Sequence, residues 1–99
     1  MATGWIAILS AELHFPEAHS LKEKRMHVRS AKEQLRNRFG ASVAEVDHHD
    51  VWQRARLTLA IVAREAGEAE RLAADAERYL ASRDWELGLV VRELVTPDD

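Results

Sequence analysis

Apolar residues recur along this chain with two different periods. Four segments alternate apolar and polar residues every second position, which is typical of strands, and two segments repeat apolar residues at helical spacing. The pattern predicts strands at residues 3–13, 42–48, 54–63 and 86–95, and helices at residues 20–39 and 68–82. Pro16 and Gly40 stand at two of the breaks between these segments.

The order of these elements predicts the fold. Strand, helix, strand, strand, helix, strand is the order of two split βαβ units. Such units fold most simply as a ferredoxin-like α/β plait of the α+β class, with both helices on one face of a four-stranded antiparallel sheet. The first and third strands are the most apolar, as central strands are, so we expect the spatial order 4-1-3-2.

The first helix has recognisable signals at both ends. Ser20 followed by Glu23 fits a capping box, in which the hydroxyl accepts a bond from a first-turn N–H and the carboxylate reaches back to the N–H of Ser20. Gly40 stands where a left-handed cap would end the helix. The inward stripe is expected to consist of Leu21, Val28, Ala31, Leu35 and Phe39.

The sheet face without helices is expected to be apolar. Alternation places five aliphatic residues of the first, third and fourth strands on it: Ile6, Ile8, Ala60, Val62 and Val90. A contiguous exposed apolar patch usually marks an interaction site. The pattern therefore predicts a homodimer that forms through this face.

The composition describes one small domain over residues 1–99, with a frayed tail expected at residues 96–99. With 46% apolar residues the chain can bury a small core. The absence of cysteine excludes disulfides and thiolate chemistry and fits a reducing compartment. No secretory signal is visible, and no apolar run approaches the roughly 20 residues of a membrane span. We therefore expect a cytoplasmic protein with no membrane contact.

Charge is distributed unevenly along the chain. Residues 21–40 contain seven Lys and Arg and two Glu, a net of +5, whereas the whole chain carries −3 and the remainder therefore −8. Four of these cations fall within about 60° of one another around the helix, at about 100° per residue. They form what is termed here the basic ridge, which consists of Lys22, Arg25, Arg29 and Arg36.

The basic ridge is a candidate RNA-binding surface. Arginine guanidinium groups match phosphate oxygens well, and like charges one helical turn apart repel each other unless a partner neutralises them. Two alternatives remain open. The ridge could be a solvated face that balances the acidic second helix, or glutamates of a neighbouring subunit could neutralise it.

The connection between the second and third strands places Trp52, Gln53 and Arg54 side by side. An aromatic ring, an amide and a guanidinium can stack on and hydrogen-bond an RNA base, so these three residues are further RNA-binding candidates. In the alternative that we favour, Trp52 packs over the end of the core. Arg54 would then pair with Glu45 or Asp47 on the neighbouring strand.

No arrangement of catalytic residues is visible. Residues 47–50 resemble a metal cluster in composition, but adjacent strand residues point to opposite faces, so His48 and His49 are not expected to share an ion. Four carboxylates could supply paired acids and bases, although Arg54, Arg56 and Arg92 are equally plausible ion partners for them: Glu12, Glu45, Asp47 and Glu93. We expect no enzyme activity, no metal or other cofactor, and no small-molecule substrate.

Four short motifs stand in an order and at spacings typical of one family. They are SLKEKR at residues 20–25, RF at residues 38–39, SVAEV at residues 42–46 and D-x-WQRA at residues 50–55. With these motifs the chain resembles the YlxP-like proteins, a bacterial family known as domain of unknown function 503, over nearly its whole length. Gly40 departs from the Asn that the family often has there, but both residues serve as left-handed caps.

The resemblance implies a ferredoxin-like plait of about this length and a genomic association with translation initiation factor two and a ribosome-binding factor. It implies no established activity, cofactor or catalytic residue. Two classes of function are therefore expected. One is a non-catalytic factor that contacts ribosomal RNA or a ribosomal subunit, and the other is a homo-oligomeric interaction module that uses the open sheet face. Salt-sensitive RNA binding would favour the first class.

Overall fold

The computed structural model describes residues 3–97 and has the predicted architecture. Its elements are β1 (Trp5–His14), α1 (Leu21–Phe39), β2 (Ser42–Asp47), β3 (Arg54–Ala63), α2 (Ala66–Ala81) and β4 (Glu86–Val95). The strands form one antiparallel sheet in the order β2-β3-β1-β4, which confirms the predicted order. The central strands are therefore β1 and β3, and the edges are β2 and β4.

The caps of α1 lie where the sequence places them. Ser20 has an extended backbone, and its Oγ accepts a hydrogen bond from the N–H of Glu23 at 3.1 Å. The Glu23 carboxylate accepts from the N–H of His19 at 3.1 Å, one residue before the expected donor. At the other end Gly40 adopts a left-handed φ of 65° and donates its N–H to Arg36 O. These contacts fix both ends of the helix.

The core lies between the sheet and the two helices. Every second residue along the middle of β1 and β3 is buried, as expected for strands covered on one face. The largest buried aliphatic side chains of these strands are Leu9, Leu13, Leu57, Leu59 and Ile61. Burying each of them contributes about 1.5–3 kcal/mol relative to exposure. The stripe of α1 packs on this layer through Val28, Ala31 and Leu35.

The second helix begins earlier than its apolar pattern indicated. The pattern predicted a break at Ala66 and Gly67, but both residues belong to the first turn of α2. Ala69 closes this turn by donating its N–H to Glu65 O at 3.1 Å. The buried residues of α2 are Ala69, Ala73, Ala76, Tyr79 and Leu80. Three small side chains among them let the helix approach the sheet closely.

A β-bulge in β4 moves one predicted residue to the opposite face. β1 pairs Ala11 with Val90 but Leu13 with Leu87, so two residues of β4 oppose a single residue of β1. The additional residue reverses which side chains face outward beyond the bulge. Val90 therefore packs against the core, and the prediction that it lies on the open face is wrong. Val91, which is 51% exposed, occupies the open face instead.

The open face, defined as the sheet surface opposite the helices, has an apolar end and a polar end. Strand register places Ile6, Ile8, Ala60, Val62 and Val91 at the apolar end. It places Glu12, His14, Arg54 and Arg56 at the polar end. Four of the five predicted interface residues are thus on this face.

The last described residues remain attached to the start of β1. The Thr96 hydroxyl donates a hydrogen bond to Gly4 O at 2.8 Å, directly after the end of β4 at Val95. Of the tail expected at residues 96–99, residues 98–99 lie outside the described part of the chain.

The same substitution at two glycines should change stability in opposite directions. Gly40 needs its left-handed φ, so Gly40→Ala should lower the free energy of unfolding by about 1 kcal/mol, although no atom obstructs the added methyl group. Gly67 is helical and has open space around it, so Gly67→Ala should raise this free energy by about 0.5 kcal/mol. Urea unfolding measures both, and a stabilised Gly40→Ala variant would contradict the role of the cap.

Candidate functional site

All four residues of the basic ridge are exposed on α1. Within residues 3–97 none of them makes an ion pair, whereas Arg54, Arg56, Arg78 and Arg92 each contact a carboxylate. Four unpaired cations on one helix face give a positive local potential, even though the net charge of the chain is −3.

The basic ridge borders a groove between α1 and the edge strand β2. The groove has a volume of about 260 Å³ and is lined by Arg25, Val28, Arg29, Lys32, Glu33, Arg36 and Glu45. Lys32 is partly buried there and adds a fifth cation. Of the two acids, Glu33 is exposed, and Glu45 contacts a buried cation beneath the ridge. The groove therefore presents mainly positive charge to solvent.

The buried cation is Lys24, whose side chain has no exposed surface. Its ammonium lies 2.5 Å from the Glu45 carboxylate and donates to the carbonyl oxygens of His48 at 2.8 Å and His49 at 3.4 Å. A buried ammonium is tolerated only when such partners neutralise and hydrogen-bond it. The three contacts join α1, the edge strand and the connection that follows this strand.

Lys24 was not among the predicted inward residues of α1, although its spacing signals burial. It lies three residues after Leu21 and four before Val28, so it belongs to the inward stripe of the helix. His48, whose carbonyl oxygen accepts from this ammonium, has a φ of 66°, which is uncommon for a residue other than glycine.

Trp52 stands at one end of the ridge. It is 48% exposed, so the favoured interpretation, in which it packs over the core, is wrong. It lines a small hollow with His19 and Leu21, directly before the first ridge residue, Lys22. An exposed indole beside a line of cations is a suitable stacking platform for a base.

The other two hairpin candidates have different surroundings. Gln53 Nε2 donates to Ala18 O at 3.4 Å, and its backbone carbonyl accepts from the N–H of Phe15 at 2.9 Å, so Gln53 holds the β1–α1 connection in place. Arg54 lies on the open face, where Glu12 is its ion partner at 3.8 Å. The prediction that Arg54 pairs with Glu45 or Asp47 on β2 is therefore wrong. The three hairpin candidates thus do not form one surface.

Glu12 is the centre of an ion cluster at the polar end of the open face. Arg56 Nη1 donates to its Oε1 at 3.0 Å, and His48 Nε2 lies 3.4 Å from the same oxygen. Burial of this carboxyl raises its pKa. The hydrogen bonds from Arg56 and His48 and the nearby positive charges outweigh burial, and they hold the pKa of Glu12 below its ordinary value of 4.5.

Neither a metal site nor a membrane-spanning helix is found in the part of the chain that the structure describes. Across residues 3–97 no group of three His, Asp or Glu side chains is arranged to hold an ion. His48 is partly buried next to Glu12, whereas His49 is exposed. No helix in this range is both long enough and apolar enough to cross a bilayer.

Removing the buried cation should destabilise the fold strongly. In Lys24→Met the Glu45 carboxylate would lose its cation and two carbonyl groups their donor, so the free energy of unfolding should fall by about 3 kcal/mol. Lys22→Met, the same change at an exposed position of the same helix, should cost less than about 0.5 kcal/mol. Urea unfolding compares the two, and equal losses would contradict the role of Lys24.

The Glu12 cluster predicts a defined pH dependence of stability. Because the pKa of Glu12 is lowered in the folded state, its contribution is present above pH 4.5 and is lost as the pH falls through the folded value. Glu12→Gln should therefore be less stable than the wild type at pH 7, with a difference that shrinks below pH 4.5. The control is Glu93→Gln, an exposed carboxylate of the same face without an ion pair among the described residues. A difference that grows towards acid pH would contradict the sign.

Comparisons with known proteins agree with the motifs. Residues 6–92 match the model of the family described as "Protein of unknown function (DUF503)". "Uncharacterized protein YlxP" of Bacillus subtilis (strain 168) is 30% identical over 79 residues, which are 80% of this chain and 83% of that protein. The de novo designed protein Ferredog-Diesel is 17% identical, with a TM-score of 0.46, over 87% of this chain and 83% of that one. The chain therefore belongs to the DUF503 family of proteins of unknown function, as its motifs indicated.

Proposed function

We propose that this protein is a non-catalytic RNA-binding factor that contacts RNA phosphates through the basic ridge. The observation that carries the proposal is the absence of any ion pair at the four ridge residues within residues 3–97, on a chain with a net charge of −3. Four like charges held on adjacent turns repel each other. A polyanion removes this repulsion.

The chemistry of the ridge fits phosphate better than a scattered set of acids. Three of its four cations are arginines, whose planar guanidinium groups donate two parallel hydrogen bonds to phosphate oxygens. From Lys22 to Arg36 the ridge extends about 21 Å along the helix, at about 1.5 Å per residue. This length suits a line of successive phosphates along a strand.

The surroundings of the ridge also favour a single strand with accessible bases. Trp52 lies beside the amino-terminal end of the ridge, where its exposed ring could stack on a base while the cations hold the backbone. RNA recognition commonly combines aromatic stacking of unpaired bases with phosphate contacts. Gln53 and Arg54 take no part in this proposal, because they hold a loop and an ion cluster elsewhere.

Ribosomal RNA is the first ligand to test. The resemblance to YlxP-like proteins implies a genomic association with translation factors. A cytoplasmic protein would also encounter ribosomal subunits in the cytoplasm. The B. subtilis relative is itself described as uncharacterized, so it adds no activity to this proposal.

Charge reversal of the ridge should abolish RNA binding. The variant Arg25→Glu/Arg29→Glu/Arg36→Glu should lose affinity for ribosomal RNA at low salt by more than tenfold, because three phosphate contacts become repulsive. For the wild type, four phosphate contacts to a single strand predict a slope of about −3 in log K against log salt concentration. Filter binding measures both quantities.

The matched control reverses three arginines outside the ridge. This control variant is Arg64→Glu/Arg71→Glu/Arg78→Glu, which has the same net charge as the ridge variant. Arg71 and Arg78 lie on α2, and Arg64 lies two residues before it. The control variant should retain RNA binding if the ridge, rather than net charge, is responsible. If the ridge variant binds as well as the wild type, or the wild type does not bind RNA at low salt, the proposal is wrong.

A further inference from the structure

We infer that the open face of the sheet is the interface of a homodimer in which two copies of this chain stack their sheets face to face. This interface is independent of RNA binding, because the basic ridge lies in the helix layer on the other side of the sheet. Each copy would bury its sheet in the centre and keep its helices outside.

The apolar end of the open face is too exposed for an isolated domain. Val62 is 71% exposed and Val91 is 51% exposed, and they adjoin the partly buried side chains of Ile6, Ile8 and Ala60. Soluble monomers rarely leave a large contiguous apolar patch uncovered. This end of the face therefore needs a partner surface.

RNA is a poor occupant for this surface. Four-stranded sheets that bind RNA stack bases on aromatic side chains of the exposed face. Over residues 3–97 the strand register places no Phe, Tyr or Trp there, since Trp5 pairs with Ala63 on the helix-covered side. The face has no excess of positive charge. Its two arginines, Arg54 and Arg56, are outnumbered by four acids, which are Glu12, Asp47, Glu86 and Glu93. A surface without stacking groups or excess positive charge fits a protein.

The strand register makes this face complementary to itself. Sheets that pack face to face keep their strands within about 30° of each other, at a separation of about 10 Å. A two-fold axis parallel to the strands, between β1 and β3, places every β1 residue opposite the β3 residue that is its own neighbour in the sheet. Such an isologous contact uses the same patch twice and closes at two copies.

The apolar rows match in this arrangement. Ile6 pairs with Val62 in the register of β1 and β3, and Ile8 pairs with Ala60. Across the two-fold axis, Ile6 would therefore meet Val62 of the second copy, and Ile8 its Ala60. The apolar end of one copy would cover the apolar end of the other.

The charged row matches as well. Glu12 pairs with Arg56 in the same register, so each Glu12 would meet the Arg56 of the second copy. Arg56 uses one nitrogen, Nη1, to bond the Glu12 of its own chain, and a guanidinium carries five N–H donors, so it has donors left for the second copy. The pairing of opposite charges in this row favours a second copy over an unrelated protein.

The flanks of the row that contains Ile8 and Ala60 are also compatible. Ser42 on β2 neighbours Ala60, and Glu93 on β4 neighbours Ile8, so the two residues end the same row on opposite edges. The two-fold axis brings the exposed Ser42 hydroxyl of each copy to the Glu93 carboxylate of the other. No like charges meet in this row.

The area of the face is adequate for a dimer. The 36 strand residues cover about 570 Å² in projection, at about 3.3 Å per residue and about 4.8 Å per strand. Two such faces together exceed the roughly 1,000 Å² in total that a specific interface needs.

Sedimentation equilibrium tests the interface. The wild type should have twice the mass of the chain, and Val62→Asp should have the mass of a single chain, because its carboxylate would face an isoleucine of the second copy. The control Met26→Asp places the same charge on an equally apolar residue of α1 that is 60% exposed, and it should stay dimeric. Circular dichroism checks that each variant is folded. A monomeric wild type at the highest soluble concentration would overturn the inference.

Chemical cross-linking locates the interface without a destabilising charge. The described chain has no cysteine, so Ala60→Cys introduces a single thiol near the two-fold axis. A short bismaleimide should link two Ala60→Cys chains, whereas Met26→Cys on the outer helix should remain unlinked. A dimer that cross-links through Met26→Cys but not through Ala60→Cys, or that survives Val62→Asp, would use another surface, and the inference would be wrong.

Discussion

The buried ammonium of Lys24 is the contact on which the rest of the structure depends. An uncompensated charge in the interior is very costly, so the carboxylate of Glu45 and the two carbonyl groups after β2 must stay where they are. This requirement fixes α1 against the edge strand and sets the rotation of the helix about its axis. With Lys24 pointing inward, the centre of the basic ridge is about 130° away around the helix, at about 100° per residue. The ridge therefore faces solvent, because Lys24 lies on the inward side of the same helix.

The cations of the chain fall into two groups with different surroundings. On the open face, Arg54 and Arg56 surround a single carboxylate, so their charge is used within the fold. The cations of α1 have fewer acidic partners. Glu45 of β2 already contacts Lys24 and does not neutralise the ridge, and the remaining acid of the groove, Glu33, faces several cations. The protein thus keeps one helix face positive, while the sheet face carries more acids than arginines. One surface is suited to a polyanion and the other to a second copy of the chain.

Most of the fold could be predicted from the sequence because local signals agreed with each other. The Ser20 cap, the Gly40 cap and the apolar strands all point to the same element order, and the structure has this order. Gly88 carried a signal for the bulge, since an isolated glycine within a strand often marks one. A Cβ at this position would lie 3.3 Å from the Cβ of Glu12. The prediction assumed strict alternation along β4 and did not use the signal of Gly88, so Val90 was assigned to the wrong face.

The candidate site was harder to predict, because it depends on contacts between residues that are distant in sequence. The ridge could be derived from helical spacing alone, but the burial of Lys24 depends on Glu45, 21 positions later on another element. The exposure of Trp52 likewise depends on how its connection folds back towards the start of α1. Side-chain type favoured burial for Trp52 and exposure for Lys24, and tertiary contacts reversed both.

Mapping RNA contacts by nuclear magnetic resonance tests the central claim most directly. Isotope-labelled protein would be titrated with a single-stranded oligonucleotide of ribosomal sequence at low salt, and the backbone amide signals followed. The account predicts shifts concentrated on residues 21–37 and on Trp52, with an affinity that weakens as salt is added. Shifts concentrated on the strands of the open face, or no shifts at low salt, would contradict it.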